Sequence, residues 1–282
     1  MLSRREFTKK LLNAIAVSSF MNLGNLAMVE ISQVFSGSND SVTLEEALNN
    51  NDNELRQRYI NHLSSKMPSP FVDKIVYDPL GLHASRVLSP KEIIEAKKMK
   101  MVTVCPSENI GDNVKSTIYV GEKTFKREAV SNFKMNMEQG DAEINIPLTE
   151  VILLGYFRHE YQHAEDFYNG MTLGSGFRID NSNFRNIDLK TFKFVLESRG
   201  YIEQLNYHRN QNDQKGYIAT LILFGSEMFN PNKPVINLRD LTLYESRVIQ
   251  IQLNEIAKAA PRLLQFVWVD DFYKNFYKQF KQ

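Results

Sequence analysis

Two histidines and a glutamate in one short segment are the residues of this chain best suited to chemistry. The stretch His159-Glu160-Tyr161-Gln162-His163 contains two of only five histidines. Residues four apart in a helix lie one above the other, so both imidazoles can reach a single metal ion. Glu160 lies beside them, where it can take a proton from a water molecule without binding the metal itself. The spacing therefore predicts a metal site with a general base next to it.

The residues around this pattern predict that its helix is buried. The helix is expected over residues 148–169, and its first half, "VILLGYF", is apolar almost all round, which is typical of a helix packed between layers. Asn169 and Gly170 form a good stop signal. The alternative is a surface helix that carries two solvated histidines. The apolar first half favours the metal site over this alternative.

A third metal ligand is expected downstream, because catalytic zinc sites usually have three protein ligands and one open position. The next predicted helix, residues 188–208, contains Glu197 and Glu203. On a helical wheel of about 100° per residue, Glu197 lies at the edge of the apolar arc, whereas Glu203 lies about 240° away from it. Glu197 is therefore the better candidate. Asp166, three residues after His163, is a further alternative, although we prefer it as the partner of a histidine N–H or as a solvated charge.

Two more side chains share the face of Glu197. Tyr201 and His208 both fall within about 40° of it on the same wheel. Either could donate a hydrogen bond to the oxyanion that forms when a peptide carbonyl is attacked. Both are therefore candidate catalytic residues together with Glu160.

The two segments together resemble a known class of enzyme. His-Glu-x-x-His resembles the zincin metallopeptidases, and a glutamate on the following helix is similar to the gluzincin class. The resemblance implies a zinc ion held by His159, His163 and Glu197, and attack of a zinc-bound water on a peptide carbonyl with Glu160 as general base. In several such families the second helix reads Glu-x-x-Ala-Tyr. Here "ESRGY" has Gly200 at the small position, which would let the two helices approach closely.

Two alternatives to a zinc peptidase remain open. Two histidines and one carboxylate also suit non-haem iron, although a glutamate directly after the first histidine favours hydrolysis. A non-catalytic metal-binding or interaction protein of the cell envelope could use the same fold. Such a protein would have no need of Glu160, which distinguishes it from a hydrolase.

The N-terminal residues predict export from a bacterial cytoplasm. Ser3-Arg4-Arg5-Glu6-Phe7 resembles the twin-arginine motif of signal peptides. The apolar stretch that follows, residues 11–29, is interrupted by polar residues and is too polar for a stable membrane span. We therefore predict a signal peptide and linker over residues 1–36. The resemblance implies the twin-arginine export machinery as a partner and a periplasmic or secreted location, and it leaves open whether the leader is cleaved.

Charge and cysteine content exclude other classes of site. The chain has 34 basic and 33 acidic residues and no long basic block, so nucleic-acid binding is not expected. Cys105 is the single cysteine, which excludes a disulfide framework within the chain and a zinc site built from several cysteines. Histidine and carboxylate ligands are therefore the ones to expect.

The order of predicted elements indicates one α+β domain over residues 37–282. The predicted fold is zincin-like, with a small antiparallel sheet within residues 37–147 and a mainly helical half within 148–282. A hairpin turn is expected at Gly121-Glu122, and the strand at 116–121 is expected to be an edge strand able to pair with a peptide substrate. The remaining predictions are helices capped at Thr43 and Ser89, strands at 101–105, 123–130 and 142–147, and helices at 216–229, 241–259 and from 269 onward.

Overall fold

The computed structural model describes residues 42–81, 83, 100–107, 109–137, 140–232 and 234–280. The predicted signal peptide lies outside the described residues, and so does nearly all of the helix predicted from Ser89. The described part is a mixed α+β structure that is mainly helical with small sheets, which confirms the predicted class at this level.

Two short helices begin the described chain. Helix α1 (Leu44–Asn49) starts at Thr43, whose side chain and Glu46 form the predicted capping box. The helix ends at the polar run that follows it, because Asp52 there accepts hydrogen bonds from backbone N–H groups of helix α2 (Asn53–Lys66) and starts that helix instead. The capped first helix is confirmed, and it ends with its C-cap at Asn50, where the polar run "NNNDN" predicts a break.

The first sheet is mixed rather than antiparallel. Its strands are β1 (Val72–Tyr77), β2 (Met101–Val104) and β3 (Ser116–Val120), in the order β1-β3-β2. Strand β3 runs parallel to β1 and antiparallel to β2. The prediction of β3 as an edge strand is therefore wrong, because both of its edges already carry hydrogen bonds. Strand β1 was not predicted, since two of the six residues of "VDKIVY" are charged and a loop with two prolines precedes it.

The predicted hairpin at Gly121-Glu122 is also wrong. A 3-10 turn (Glu122–Phe125) follows β3, and the Thr124 hydroxyl donates to the Lys100 carbonyl at the start of β2. The hairpin is formed instead by β4 (Glu128–Met137) and β5 (Gly140–Pro147). With both edges of β3 already paired, the chain has to leave this sheet before a new strand can begin.

Five helices form most of the remaining chain, and each begins and ends within a few residues of its predicted position. They are α3 (Glu150–Asn169), α4 (Leu189–Asn210), α5 (Gln214–Met228), α6 (Leu243–Ala259) and α7 (Val267–Phe280). Thr149 caps the start of α3, and Gly170 ends that helix with a φ of +80°, a conformation that favours glycine. Asp188 caps α4 in the same way as Thr149 caps α3.

Helices α3 and α4 form the centre that positions the site. Helix α3 packs against β2 on one side and α4 on the other, and α4 also contacts α5 and α6. The short strands β6 (Met171–Thr172) and β7 (Arg178–Ile179) lie in the connection between α3 and α4. Across the described residues, no helix has both the length and the apolar character that a membrane span requires.

Candidate metal centre

Helices α3 and α4 run antiparallel and approach closely at two glycines. A Cβ atom built on Gly200 of α4 would lie 2.6 Å from Nε2 of His159 on α3, and one built on Gly155 of α3 would lie 2.3 Å from Nε2 of His208 on α4. A real Cβ atom does not tolerate contacts this short, so each histidine ring occupies the space that a side chain would fill. The predicted role of Gly200 in close helix packing is confirmed.

The His-Glu-x-x-His pattern folds into a buried cluster that could hold a metal ion. His159, Glu160 and His163 are all buried, and each offers a ligand atom within 4.8 Å of the others. The two imidazole rings are edge to face, with centroids 4.6 Å apart. Both rings therefore lie on one face of α3, as the four-residue spacing predicts.

Glu197 of α4 lies against both histidines. Its Oε2 is 3.3 Å from Nε2 of His159 and 3.8 Å from Nε2 of His163, and the residue is only 4% exposed. Glu203 does not face this group but lines a small cavity of about 110 Å³ beside Gln252 and Glu255 of α6. The structure therefore brings Glu197, and not Glu203, to the predicted position of the third ligand.

The donor set is one that could hold a metal ion. Two imidazole nitrogens converge on the same carboxylate oxygen, and two histidines with one carboxylate is a ligand set that catalytic zinc takes. In the part of the chain that the structure describes, the buried Nδ1 of His163 has no hydrogen-bond partner, and its Nε2 is directed to Glu197. These residues are already arranged around one point, where an ion would be bound.

The pKa values of His163 and Glu197 favour the neutral imidazole and the charged carboxylate, which are the forms that bind a metal ion. Burial and the charge of His159 lower the pKa of His163 to about 3, so His163 is neutral at physiological pH. Burial alone would raise the pKa of Glu197, but the hydrogen bond from His159 and the charges of both histidines hold it at about 2. For His159, the effect of Glu197 outweighs burial and the pKa lies above its ordinary value.

Glu160 is held by a residue from the sheet. The hydroxyl of Thr103 on β2 lies 2.7 Å from Glu160 Oε2 and 3.0 Å from its carbonyl oxygen, and Thr103 is 1% exposed. Burial raises the pKa of Glu160 to about 7, although the charge of His159 and the Thr103 hydrogen bond oppose this rise. A carboxyl group with a pKa near the working pH is suited to accept and return a proton. Thr103 was not predicted; the available signal was a single hydroxyl residue in the apolar run "MVTVC".

Tyr201 lies at the site, but its hydroxyl is already engaged. Its ring is edge to face with His159, with centroids 4.6 Å apart, and its hydroxyl donates to Oε2 of Glu227 at 2.6 Å. Glu227 comes from the last turn of α5 and was not predicted. The available signal was a single carboxylate in the apolar run "IATLILFGSEMF".

Asp166 does not take any of the roles predicted for it, which were metal ligand, partner of a histidine N–H and solvated charge. It is 1% exposed and pairs through both oxygens with Arg199 of α4, at 2.7 and 2.9 Å, while Gln162 donates to the same group. It is therefore neither a solvated charge nor a partner of a histidine. The prediction was wrong because Arg199, which lies on the far side of α4 from Glu197, reaches back to the edge of α3.

His208 is not brought to the histidine pair. It follows Glu197 by eleven residues on α4, which is a rise of about 16 Å at 1.5 Å per residue. The side chain is fully buried between Gly155 and Gly216, and its Nδ1 lies 3.0 Å from Oδ2 of Asp213. A helical wheel records direction but not rise, which is why Tyr201 and His208 looked equivalent. We assign His208 a packing role.

Comparisons with known proteins do not place the chain in a family. No protein-family model matches it, and neither the curated proteins nor the solved structures include one with significant similarity to it. The case for a function therefore depends on the chemistry of these residues.

Proposed function

We propose that this protein is a zinc-dependent hydrolase with a zincin-like fold, and that it cleaves peptide bonds. The observation that carries the proposal is the position of Glu197, whose Oε2 lies within 3.3 and 3.8 Å of the two histidine nitrogens in a buried site. Glu160 is buried beside this group but is bound to Thr103 instead. The division into three ligands and one separate carboxylate is what a hydrolytic site requires.

Each side chain has a distinct role in this proposal. His159, His163 and Glu197 would hold the ion, which supplies Lewis-acid polarisation of the carbonyl and makes a bound water more acidic. Glu160 accepts the proton of the attacking water and passes it to the leaving amine. Thr103 fixes one carboxylate oxygen and leaves the other for this transfer. Tyr201 can donate to the developing oxyanion only if its hydroxyl hydrogen turns away from Glu227.

The location of the protein belongs to the same proposal. The twin-arginine pattern lies within residues 1–41, outside the described residues, so export stays a prediction from sequence. A peptide substrate would then be met in the periplasm or outside the cell. Fractionation of cells that express the full chain, compared with a variant in which Arg4 and Arg5 are both replaced by lysine, would test it.

The metal is tested by elemental mass spectrometry on the purified protein. We expect about one zinc per chain in the wild type, and loss of zinc in His163→Ala and in Glu197→Ala because each removes a ligand. Glu203→Ala is the matched control, since it removes a carboxylate from the same helix on the side away from the site. Iron in place of zinc, or a wild type that holds no metal after reloading, would contradict the proposal.

Hydrolysis is tested with Glu160→Gln, which removes the proton acceptor but keeps the shape of the side chain. Zinc content is expected to stay at the wild-type level, while cleavage of a mixed peptide library falls below detection. Cleavage that persists in Glu160→Gln would exclude this residue as general base. A wild type that holds zinc but cleaves nothing in the library would favour the non-catalytic metal-binding protein.

A further inference from the structure

A third carboxylate lies next to the histidine pair, in addition to Glu160 and Glu197. The charge of Glu227 acts on His159 together with the charges of the other two. A divalent ion at the proposed site would balance the charges of two of these three carboxylates. Burying a charge without a partner is costly, so the remaining carboxylate calls for a counter-charge.

The position of Glu227 is fixed beside the site. Tyr201 donates to its Oε2 at 2.6 Å, and the Tyr201 ring is held between His159 and Phe224, with centroid distances of 4.6 and 4.8 Å. Glu227 is half-buried, and this is the one hydrogen bond that the structure gives it within the described ranges. One carboxylate oxygen is therefore anchored, and Oε1 can bind a further group.

One candidate counter-charge inside the protein, Lys100, is bound elsewhere. The charge of Lys100 acts on Glu227, but its Nζ donates to the Tyr156 hydroxyl at 2.8 Å and lies 3.5 Å from the Ala129 carbonyl oxygen. In the part of the chain that is described, no lysine or arginine forms an ion pair with Glu227. Burial raises the pKa of Glu227, so a cationic ligand would be needed to favour its charged form.

We propose that Glu227 binds a cationic group of the substrate next to the scissile bond, so that the enzyme prefers peptides with an ammonium or guanidinium group at that position. The inference rests on the proposed peptidase function. Such a cation has two sources, the free amino group of the peptide N-terminus or the side chain of a lysine or arginine. Both would form a charge-assisted hydrogen bond with Oε1 of Glu227.

The test measures peptide binding to a variant that is expected not to cleave the peptide. Zinc-loaded Glu160→Gln protein is titrated against peptides with a fluorescent label at the C-terminus, and the anisotropy gives Kd. One neutral sequence is used with a free or an acetylated N-terminus, and the acetylated form carries lysine or norleucine at each position in turn. Tighter binding of the free N-terminus identifies the amino group, and tighter binding of lysine than of norleucine identifies a side chain.

We expect a cationic peptide to bind about tenfold more tightly than its neutral match, which is about 1.4 kcal/mol. Adding Glu227→Gln to the Glu160→Gln protein should remove this preference. The Kd of the neutral peptide should stay within about twofold of its value without the second substitution, because the amide still accepts the Tyr201 hydrogen bond. Glu203→Gln is the control and should change neither. Glu227→Asp keeps the charge and should retain part of the preference, which provides a second variant if the glutamine protein folds poorly.

Two outcomes would overturn the inference: equal binding of cationic and neutral peptides, or a Glu227→Gln variant that weakens both to the same degree. Failure of the proposed function would look different. It would show as a zinc-loaded wild type that cleaves neither kind of peptide, and it is read from turnover rather than from binding.

Discussion

The proposed general base depends on a neighbour that is distant in sequence. Thr103 precedes Glu160 by 57 residues, and its hydroxyl lies within hydrogen-bond distance of both the carboxylate and the backbone carbonyl of Glu160. Because Thr103 is on β2 and Glu160 is on α3, this contact joins the sheet to the active helix. A small displacement of the strand would therefore reorient the base directly.

We predict that Thr103→Val slows peptide hydrolysis and that Thr103→Ser does not. Valine has the shape of threonine but cannot donate to Glu160, so the carboxylate loses its orientation and kcat should fall by about tenfold, part of the 100- to 10,000-fold that a general base contributes. Serine keeps the hydroxyl, so the kcat of Thr103→Ser should stay within about threefold of the wild-type value. Kinetic assays on purified protein, with zinc content measured in parallel, would check this. Equal losses in both variants would show that Thr103 acts only through packing.

At the scale of elements, the crossing of α3 and α4 uses two glycine–histidine contacts of the same design. Gly200 makes room for His159, a proposed ligand, and Gly155 makes room for His208, a packing residue. The two positions lie on facing helices and would each gain one methyl group as alanine. They therefore form a matched pair in which only one substitution is expected to disturb the proposed metal site.

We predict that Gly200→Ala weakens zinc binding at least tenfold, whereas Gly155→Ala leaves it unchanged. The new methyl group would displace the His159 ring, which can move because it is the end of a rotatable side chain. Overpacking costs about 1–3 kcal/mol, and the higher helix propensity of alanine offsets about 1 kcal/mol of it, so both variants should remain folded. Competition with a zinc-binding dye gives the affinity, and urea unfolding gives the stability. An equal loss of affinity in both would indicate that the crossing as a whole controls the site.

An ion pair between a buried aspartate and a partly buried arginine holds the same two helices together at another point. Asp166 on α3 and Arg199 on α4 meet through two hydrogen bonds, and Arg199 also donates to the Thr172 carbonyl. Burial by itself raises the pKa of Asp166, and the arginine opposes that rise. A pair of this kind positions the helices more than it adds net stability.

We predict that Asp166→Asn lowers the free energy of unfolding by about 3 kcal/mol without loss of zinc. The substitution leaves the Arg199 guanidinium without its charged partner, and removing one member of a buried pair typically costs about 3–5 kcal/mol. Combining it with Arg199→Met should recover part of the loss. Urea unfolding and elemental analysis would check both parts. Loss of zinc at unchanged stability would make Asp166 a metal ligand after all.

What could be predicted from the sequence is the part that depends on local spacing. The histidine pair on α3, the direction of Glu197 on α4 and the cap at Thr43 follow from helix periodicity and short-range hydrogen bonds. Thr103 and Glu227 could not be predicted, because each reaches the site through a contact between elements far apart in the chain. Strand pairing has the same limit: the turn signal at Gly121 was real, but the neighbours of β3 were already set by β1 and β2.

At the scale of the whole molecule, a buried histidine outside the site links folding to pH. Burial lowers the pKa of His208 below its ordinary value, although the charge of Asp213 opposes this shift. The unfolded chain therefore takes up a proton near pH 6.5, while the folded chain does so only at lower pH. Below about pH 6.5 the unfolded state binds more protons, so stability is full above that pH and is lost as the pH falls through it.

We predict that His208→Gln flattens the pH dependence of stability between about pH 7 and pH 5. One unmatched proton changes the free energy of unfolding by up to about 1.4 kcal/mol per pH unit, and glutamine does not titrate. His159, Glu160 and His163 also titrate, but they are common to both proteins and cancel in the difference between the two curves. Urea unfolding of both proteins, kept metal-free with a chelator, gives that difference at each pH. As the pH falls, the free energy of unfolding of the wild type should decrease relative to that of His208→Gln. Parallel curves would show that His208 keeps an ordinary pKa in the folded protein and that its burial against Gly155 is not linked to acid unfolding.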